Sequence, residues 1–194
     1  SVGAGLGYGS LGYTHHALQD FSLMRSFPNM LISSPSNNQE LLSSIDFIFK
    51  YPQPTYLRLD KDIEIDIKKK IFLKKAGSWV FYKKKNNQNL VLSTGSTYNY
   101  CKEFIKNKRN FDWASIPLWG LKLKKKQFTK IKKYKNIITF ENHFQDGGFG
   151  SWLSEALTYK KNKVMTKIFS KYISDKVVGK VGSEDYLTRK YGFK

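Results

Sequence analysis

Short apolar runs alternate with longer amphipathic segments along this chain, and that alternation limits its fold more than any other feature. Residues 30–32, 55–59, 79–82, 90–92, 113–118, 137–140 and 164–169 read as strands. Segments at 16–26, 38–50, 97–107, 128–133, 150–159 and 183–191 show helical spacing of apolar side chains or a capping residue at the start. Strands alternating with helices predict an α/β fold built on parallel sheets with helical crossovers. We expect a partial parallel-sheet unit over residues 1–60, an extended lysine-rich linker over 61–76, and a complete α/β domain of about five strands over 77–194. In the first unit Thr14 is the expected N-cap of the 16–26 helix, whose Ala17, Leu18, Phe21 and Met24 share a face. Ser36 or Asn37 caps the 38–50 helix, and its Leu41, Leu42, Ile45, Ile48 and Phe49 are expected to meet a core. An Asn86-Asn87 turn separates the 79–82 and 90–92 strands.

Composition narrows the function classes. With 194 residues and 40% hydrophobic content the chain can bury a sizeable core. Its apolar runs are too short to span a bilayer, and no secretory signal is read at the N-terminus. One cysteine, Cys101, permits no internal disulfide and suits a reducing compartment, so the cytoplasm is expected. The net charge of +19 comes almost entirely from lysine, in runs at 68–70, 83–85, 124–126 and 160–163. Such an excess accompanies nucleic-acid binding, but arginine, the better fork for bases and phosphates, is scarce. Solvated lysine faces are therefore the expectation, with no membrane and no nucleic-acid partner.

The chemistry concentrates in residues 5–20, Gly-Leu-Gly-Tyr-Gly-Ser-Leu-Gly-Tyr-Thr-His-His-Ala-Leu-Gln-Asp. Glycines let the backbone approach a ligand closely, and two of the three histidines in the chain sit here. An imidazole at the end of such a loop suits binding or proton transfer on a sugar or keto group. His15 is read as functional. His16 is read chiefly as a surface or capping residue, and no metal site is expected around the pair. The strand that should lead into the loop is short or missing, so the chain is expected to be part of a larger catalytic unit. Further along, Gly147-Gly148-Phe149-Gly150-Ser151 reads either as a phosphate cradle or, preferentially, as glycines that allow tight strand-to-helix packing. His143 reads as structural, Cys101 as an inert packed thiol, and Trp79, Trp113, Trp119 and Trp152 as core or interface aromatics.

The 5–20 loop, followed by Leu-Met-Arg-Ser-Phe-Pro-Asn-Met at 23–30 and Ser-Pro-Ser-Asn at 34–37, resembles the later half of the transketolase pyrimidine-binding domain. The second unit resembles the transketolase C-terminal domain. The matching segments are Leu-Ser-Thr-Gly-Ser at 92–96, Phe-Glu-Asn-His-Phe-Gln-Asp-Gly-Gly-Phe-Gly-Ser at 140–151, and Gly-Ser-Glu-Asp-Tyr-Leu at 182–187 with Tyr191-Gly192. The resemblance implies the C-terminal portion of a thiamine-diphosphate-dependent enzyme that moves a two-carbon ketol unit between sugars. It places His15 beside the donor sugar and Lys61 where the family grips a substrate phosphate, with Arg58 as rival for that task and His16 as a further substrate contact. Leu11, Tyr13 and Gly3 depart from the family pattern, which points to substrates outside ordinary pentose phosphates. Thiamine diphosphate and Mg2+ would be held mainly by residues outside this chain, because the family's catalytic glutamate and its Gly-Asp-Gly segment are not found in it. The implied partner is an N-terminal thiamine-diphosphate-binding chain or domain, in a dimer or heterotetramer acting on a sugar phosphate. The alternatives are a β subunit of a 2-oxo acid dehydrogenase, or a non-catalytic basic interaction module.

Overall fold

The computed structural model describes residues 1–61, 70–159 and 165–193. Its elements run α1 (Asp20–Arg25), β1 (Leu31–Ser33), α2 (Asn38–Lys50), β2 (Thr55–Leu57), β3 (Val80–Lys83), β4 (Asn89–Ser93), α3 (Tyr98–Lys106), β5 (Phe111–Ser115), β6 (Leu118–Trp119), α4 (Lys124–Ile131), β7 (Asn136–Phe140), α5 (Phe149–Leu157), β8 (Lys167–Lys171) and α6 (Glu184–Tyr191). They build two sheets, one of three strands in the order β2-β1-β6 and one of five in the order β3-β5-β4-β7-β8. The expected α/β class is observed. Strands β5, β4, β7 and β8 pair in parallel, and β3 adds an antiparallel edge against β5. Half of the expected 61–76 linker, residues 62–69, lies outside the described residues, as do the lysine run at 160–163 and the first residue of the expected 164–169 strand.

Alternate residues of a strand point to opposite sheet faces, and β4 shows why this sheet is covered on both. Leu90 and Leu92 join Ile131, Ile137, Phe149 and Trp152 in one buried cluster, whereas Val91 joins Tyr98, Cys101 and Trp113 in another. Helices α4 and α5 thus pack on one face and α3 on the other, as expected for a parallel sheet. Burial pushes the Cys101 thiol up to about 12, so it behaves as the packed, inert group expected.

Several elements differ from expectation for local physical reasons. The helix expected at 16–26 starts only at Asp20, because Gly5 and Ala17 exchange both backbone hydrogen bonds (3.2 and 2.9 Å) and hold residue 17 in a bridge. The run 113–118 is not one strand. Pro117 has no N–H to donate, its carbonyl accepts from Ser34 N at 2.8 Å, and the chain passes from β5 into the other sheet as β6. There β6 lies antiparallel to β1, with Trp119 opposite Ile32 and Leu118 opposite Ser33. The Asn86-Asn87 turn does not close a hairpin, since β3 pairs with β5 rather than with β4.

Helix α2 is capped as expected. The Asn37 side chain accepts from Glu40 N at 2.9 Å, while the Glu40 carboxylate accepts from Ser36 N at 2.8 Å, a reciprocal arrangement that satisfies the first turn. Its buried face is not the expected one. Glu40, Ser43, Ser44 and Phe47 face inward, while Leu42 is exposed and Phe49 is 80% exposed. Polar anchors decide this rotation: Ser43 Oγ accepts from Leu73 N at 2.8 Å, and Glu40 also accepts from Tyr82 Oη (2.7 Å) and Ser115 Oγ (3.1 Å). Burial raises the Glu40 pKa against the opposing pull of those donors.

The packing gives a direct contrast. Trp119→Ala removes a fully buried ring that meets Phe21, Phe149 and Trp152 at centroid distances of 5.0, 5.3 and 5.2 Å. It should cost about 3–5 kcal/mol in urea unfolding. Phe49→Ala should stay within about 0.5 kcal/mol of the parent. A large loss from Phe49→Ala would mean that α2 turns its other face to the core.

Candidate active site

The loop bearing His15 is closed by its own backbone. The Gly5–Ala17 bridge ties its ends, and two short 3-10 turns, Gly9–Leu11 and Tyr13–His15, fill it. Gly12 joins the turns at φ +88°, a left-handed conformation that a Cβ disfavours. The loop rests on the C-terminal segment. Gly182 N donates to Gly9 O at 3.2 Å, and Leu6 and Leu18 are buried with Ile173, Val177 and Leu187.

Within this frame the two histidines differ. The His15 side chain is exposed, and its Nδ1 lies 3.1 Å from Thr14 Oγ1. The threonine hydroxyl therefore serves the imidazole instead of capping a helix. With that hydroxyl as donor, the neutral ring carries its proton on Nε2, a free donor toward a ligand oxygen. His16 is half-buried, its ring set edge-on to Tyr13 at 5.5 Å, and both ring nitrogens are buried without a hydrogen-bond partner among the described residues. Burial lowers its pKa; the nearby Gly9 backbone opposes this and His15 adds to it.

Lys61 lies exposed just beyond β2, its backbone N–H donating to Asp60 Oδ1 at 2.8 Å. Arg58 occupies a different setting. It is 2% exposed, and its guanidinium donates to Asp20 Oδ2 (2.6 Å), Ala17 O (2.8 Å) and Asn142 O (2.9 Å), 4.4 Å from the Phe21 ring. A side chain so buried and so fully committed is not open to a phosphate here, which sets it apart from the exposed Lys61. Asp20 also accepts from Tyr56 Oη at 2.9 Å, and burial, helped by the Asp20 charge, pushes the Tyr56 phenol up to about 12. Among the described residues the His15 ring bonds Thr14 and the Arg58 guanidinium bonds Asp20, Ala17 and Asn142, so the four candidates do not form one hydrogen-bonded cluster.

Sequence reasoning misses Gln19 and Asp20, because helical spacing reads both as helix body. Gln19 donates to Tyr13 Oη across the loop and lines a cleft of about 380 Å³ with Ser22, Gln145, Asp146, Tyr172 and Asp175. Their position at the exit of a glycine loop was the available signal.

The glycine run at 147–151 packs as its preferred reading expects. A Cβ on Gly150 would lie 2.1 Å from Ser170 Oγ and 2.2 Å from Glu141 Oε1. Gly150 N instead donates to that carboxylate at 3.0 Å. His143 is buried, with Nδ1 2.7 Å from Phe144 O and Nε2 3.5 Å from Phe149 N, a pattern that fits the neutral Nδ1–H tautomer. Burial lowers its pKa, with Glu141, 3.4 Å away, opposing.

The fold and the loop define an α/β chain that presents an exposed histidine from a glycine-rich turn. Residues 1–63 match the family described as the pyrimidine binding domain of transketolase. Over 159 residues the chain is 27% identical to an apulose-4-phosphate transketolase subunit of Actinobacillus succinogenes, covering 80% of this chain and 51% of that protein. It is 28% identical over 178 residues to a 1-deoxy-D-xylulose-5-phosphate synthase of Malacoplasma penetrans, covering 90% and 28%. Among solved structures, a split-gene transketolase in an inactive beta4 tetramer is similar with a TM-score of 0.75 at 20% identity, over 100% of this chain and 61% of that one. A Campylobacter jejuni transketolase is similar with a TM-score of 0.72 at 17% identity, over 97% and 28%. Residues 1–63 thus match part of a transketolase pyrimidine-binding domain, and most of the chain is similar to curated transketolase subunits. The chain spans about half the length of the apulose-4-phosphate transketolase subunits it matches.

Two outcomes are expected. Arg58→Met leaves Asp20 without its cationic partner in a largely buried setting and should cost about 3 kcal/mol or more. Adding Asp20→Leu should recover a large part, read from chemical denaturation of the single and double variants. The second outcome concerns pH. The folded pKa of His143 lies below the unfolded value near 6.5, so as pH falls through 6.5 the unfolded chain binds the proton first and stability drops. That contribution is up to about 1.4 kcal/mol per pH unit. His143→Asn should flatten the acid limb of stability between pH 7.5 and 5.5; an unchanged slope refutes the assignment.

Proposed function

We propose that this chain forms the sugar-binding part of a thiamine-diphosphate-dependent, transketolase-type transferase, with His15 at the donor sugar. Residues 1–60 act as the later half of the pyrimidine-binding domain, and 77–194 as the C-terminal domain. The observation that carries the proposal is the setting of His15: an exposed imidazole on a backbone-locked loop, its Nδ1 engaged by Thr14. From there Nε2–H binds and orients a hydroxyl or carbonyl oxygen of the sugar. Lys61 supplies a point charge for a substrate phosphate. His16, half-buried beside His15, is a further substrate contact through the exposed part of its ring. The name of the Actinobacillus succinogenes relative suits a phosphorylated ketose outside the ordinary pentose phosphates.

The chain does not fit the cofactor by itself. Among the described residues no three His, Cys, Asp or Glu side chains converge on a metal position, and Asp20 at the loop exit is tied to Arg58. Thiamine diphosphate and Mg2+ are accordingly assigned to a partner chain or domain, in a dimer or heterotetramer. Supporting a partner, Leu11 on the loop is 59% exposed, and Val181, packed beside Gly12, is 62% exposed. Apolar side chains of this size around a functional histidine mark a surface that another chain covers. No helix among the described residues is long and apolar enough to cross a membrane.

Reconstitution tests this reading. Mixed with a thiamine-diphosphate-binding partner, cofactor and Mg2+, the chain should support ketol transfer. His15→Ala should lower kcat/KM by about 100-fold or more. Lys61→Ala should raise KM for a phosphorylated sugar about 10-fold with little change in kcat. Full activity of the His15→Ala assembly would remove His15 from the site.

A further inference from the structure

Part of the lysine excess gathers around partly exposed aromatic rings at the edge of the five-stranded sheet. Trp79, just before β3, and Phe81 within it lie 5.9 Å apart. Tyr134, just after α4, stacks against Trp79 at 6.0 Å and within 30° of parallel. All three residues are only partly buried. The central ring is pinned, since Trp79 Nε1 donates to Gln127 Oε1 at 2.7 Å.

One wall of this floor is the 85–87 turn, where Asn86 takes a left-handed φ of +56°. Buried Asp112 holds the turn, accepting from Lys85 N (2.9 Å), Asn87 N (3.2 Å) and Asn87 Nδ2 (2.8 Å), and from Tyr134 Oη at 3.4 Å. Its donors commit that carboxylate, while the Asn87 side chain still has an amide oxygen able to accept. The rim carries Lys84, Lys130 and Lys133. Lys84 Nζ lies 5.0 Å from the Phe81 ring and Lys130 Nζ 5.3 Å from the Trp79 ring. Lys130 also donates to Gly77 O at 2.9 Å. None of the three lysines has a carboxylate partner among the described residues. The cavity is about 510 Å³, inside the range of small-molecule sites.

A flat floor, an amide wall and a cationic rim each ask for a different part of one ligand. We propose that this cavity binds a nucleoside monophosphate or diphosphate, its base stacked on Trp79 and Tyr134 and its phosphate on Lys84, Lys130 and Lys133. Bases stack on aromatic side chains with little regard to identity, and lysine ammoniums bind phosphate as point charges. A sugar phosphate has no π face to stack on the rings, and a neutral aromatic leaves the lysines idle. Partial burial, together with the neighbouring Lys126, pulls Lys130 down to about 8, and a bound anion would relieve that cost. No residue of the 5–20 loop lines the cavity, so this site is separate from the one proposed for sugar transfer.

Calorimetric titration of the full 194-residue chain at fixed salt tests the proposal, with ADP, AMP, adenosine and inorganic phosphate as probes. ADP should bind saturably at one site, and adenosine and phosphate should each bind at least about 10-fold more weakly, because each uses half of the site. Lys130→Gln combined with Lys133→Gln should weaken ADP about 10-fold or more. Trp79→Phe, which keeps a ring, should weaken it less than Trp79→Leu, with circular dichroism confirming that both fold. Lys176→Gln, outside the cavity, and His15→Ala should leave ADP binding unchanged. Absence of saturable binding overturns the proposal, as does phosphate binding as tightly as ADP or an equal loss from Lys176→Gln. Single-stranded RNA binding more tightly than ADP, and displacing it, would make the surface a nucleic-acid site and overturn the nucleotide assignment.

Discussion

The Arg58 guanidinium holds together parts of the chain that are distant in sequence. It pairs with Asp20 at the start of α1, takes the Ala17 carbonyl at the exit of the His15 loop, and reaches the Asn142 carbonyl beyond β7. Its own backbone N–H donates to Ser33 O in β1. An arginine this deeply buried is stable only if its donors and charge are matched, and here the matches come from separate segments. This one side chain thus helps set the position of the loop histidine relative to the larger sheet, beside the packing of Leu6 and Leu18 on the C-terminal segment.

A second polar seam runs beside it. Glu40, at the first turn of α2, gathers Ser36, Tyr82 and Ser115, and so fastens α2 to β3 and β5. Strand β6 adds a hydrogen-bonded join, because two residues of the later segment complete the smaller sheet. The two sheets are thus joined through polar side chains and backbone as well as apolar packing. Polar joints of this kind fix orientation, since a misplaced partner leaves a buried group unsatisfied. The cost is a raised Glu40 pKa, tolerated at the seam because donors from three segments surround its carboxylate.

Much of the fold was legible in the chain. Short apolar runs alternating with helical spacing set the α/β class; of the two cap candidates Ser36 and Asn37 the structure uses Asn37, and the last helix, expected over 183–191, runs from Glu184 with Ser183 as its cap. The glycines at 147–151 read as close-packing positions, which is how Gly150 behaves against Glu141. What escaped were choices that depend on a distant partner. The inward face of α2 went to Glu40, Ser43 and Phe47 because Leu73, Tyr82 and Ser115 reach for the first two, and amphipathic counting cannot see those residues. The early start expected for α1 failed because Gly5 had already claimed the backbone of Ala17.

By itself the sequence determined local order: which segments become strands or helices, where a glycine loop delivers two histidines, and that a lysine-rich surface would surround a sizeable core. These follow from propensity, periodicity and charge, which act over a few residues. The tertiary structure alone decided that Arg58 is a buried clamp while Lys61 stands exposed, that His15 is open while His16 is half-covered, and that lysines from separate segments ring the same aromatic floor. Burial and pairing are properties of segments brought together from far apart, and a residue's chemistry changes with the water and charge around it.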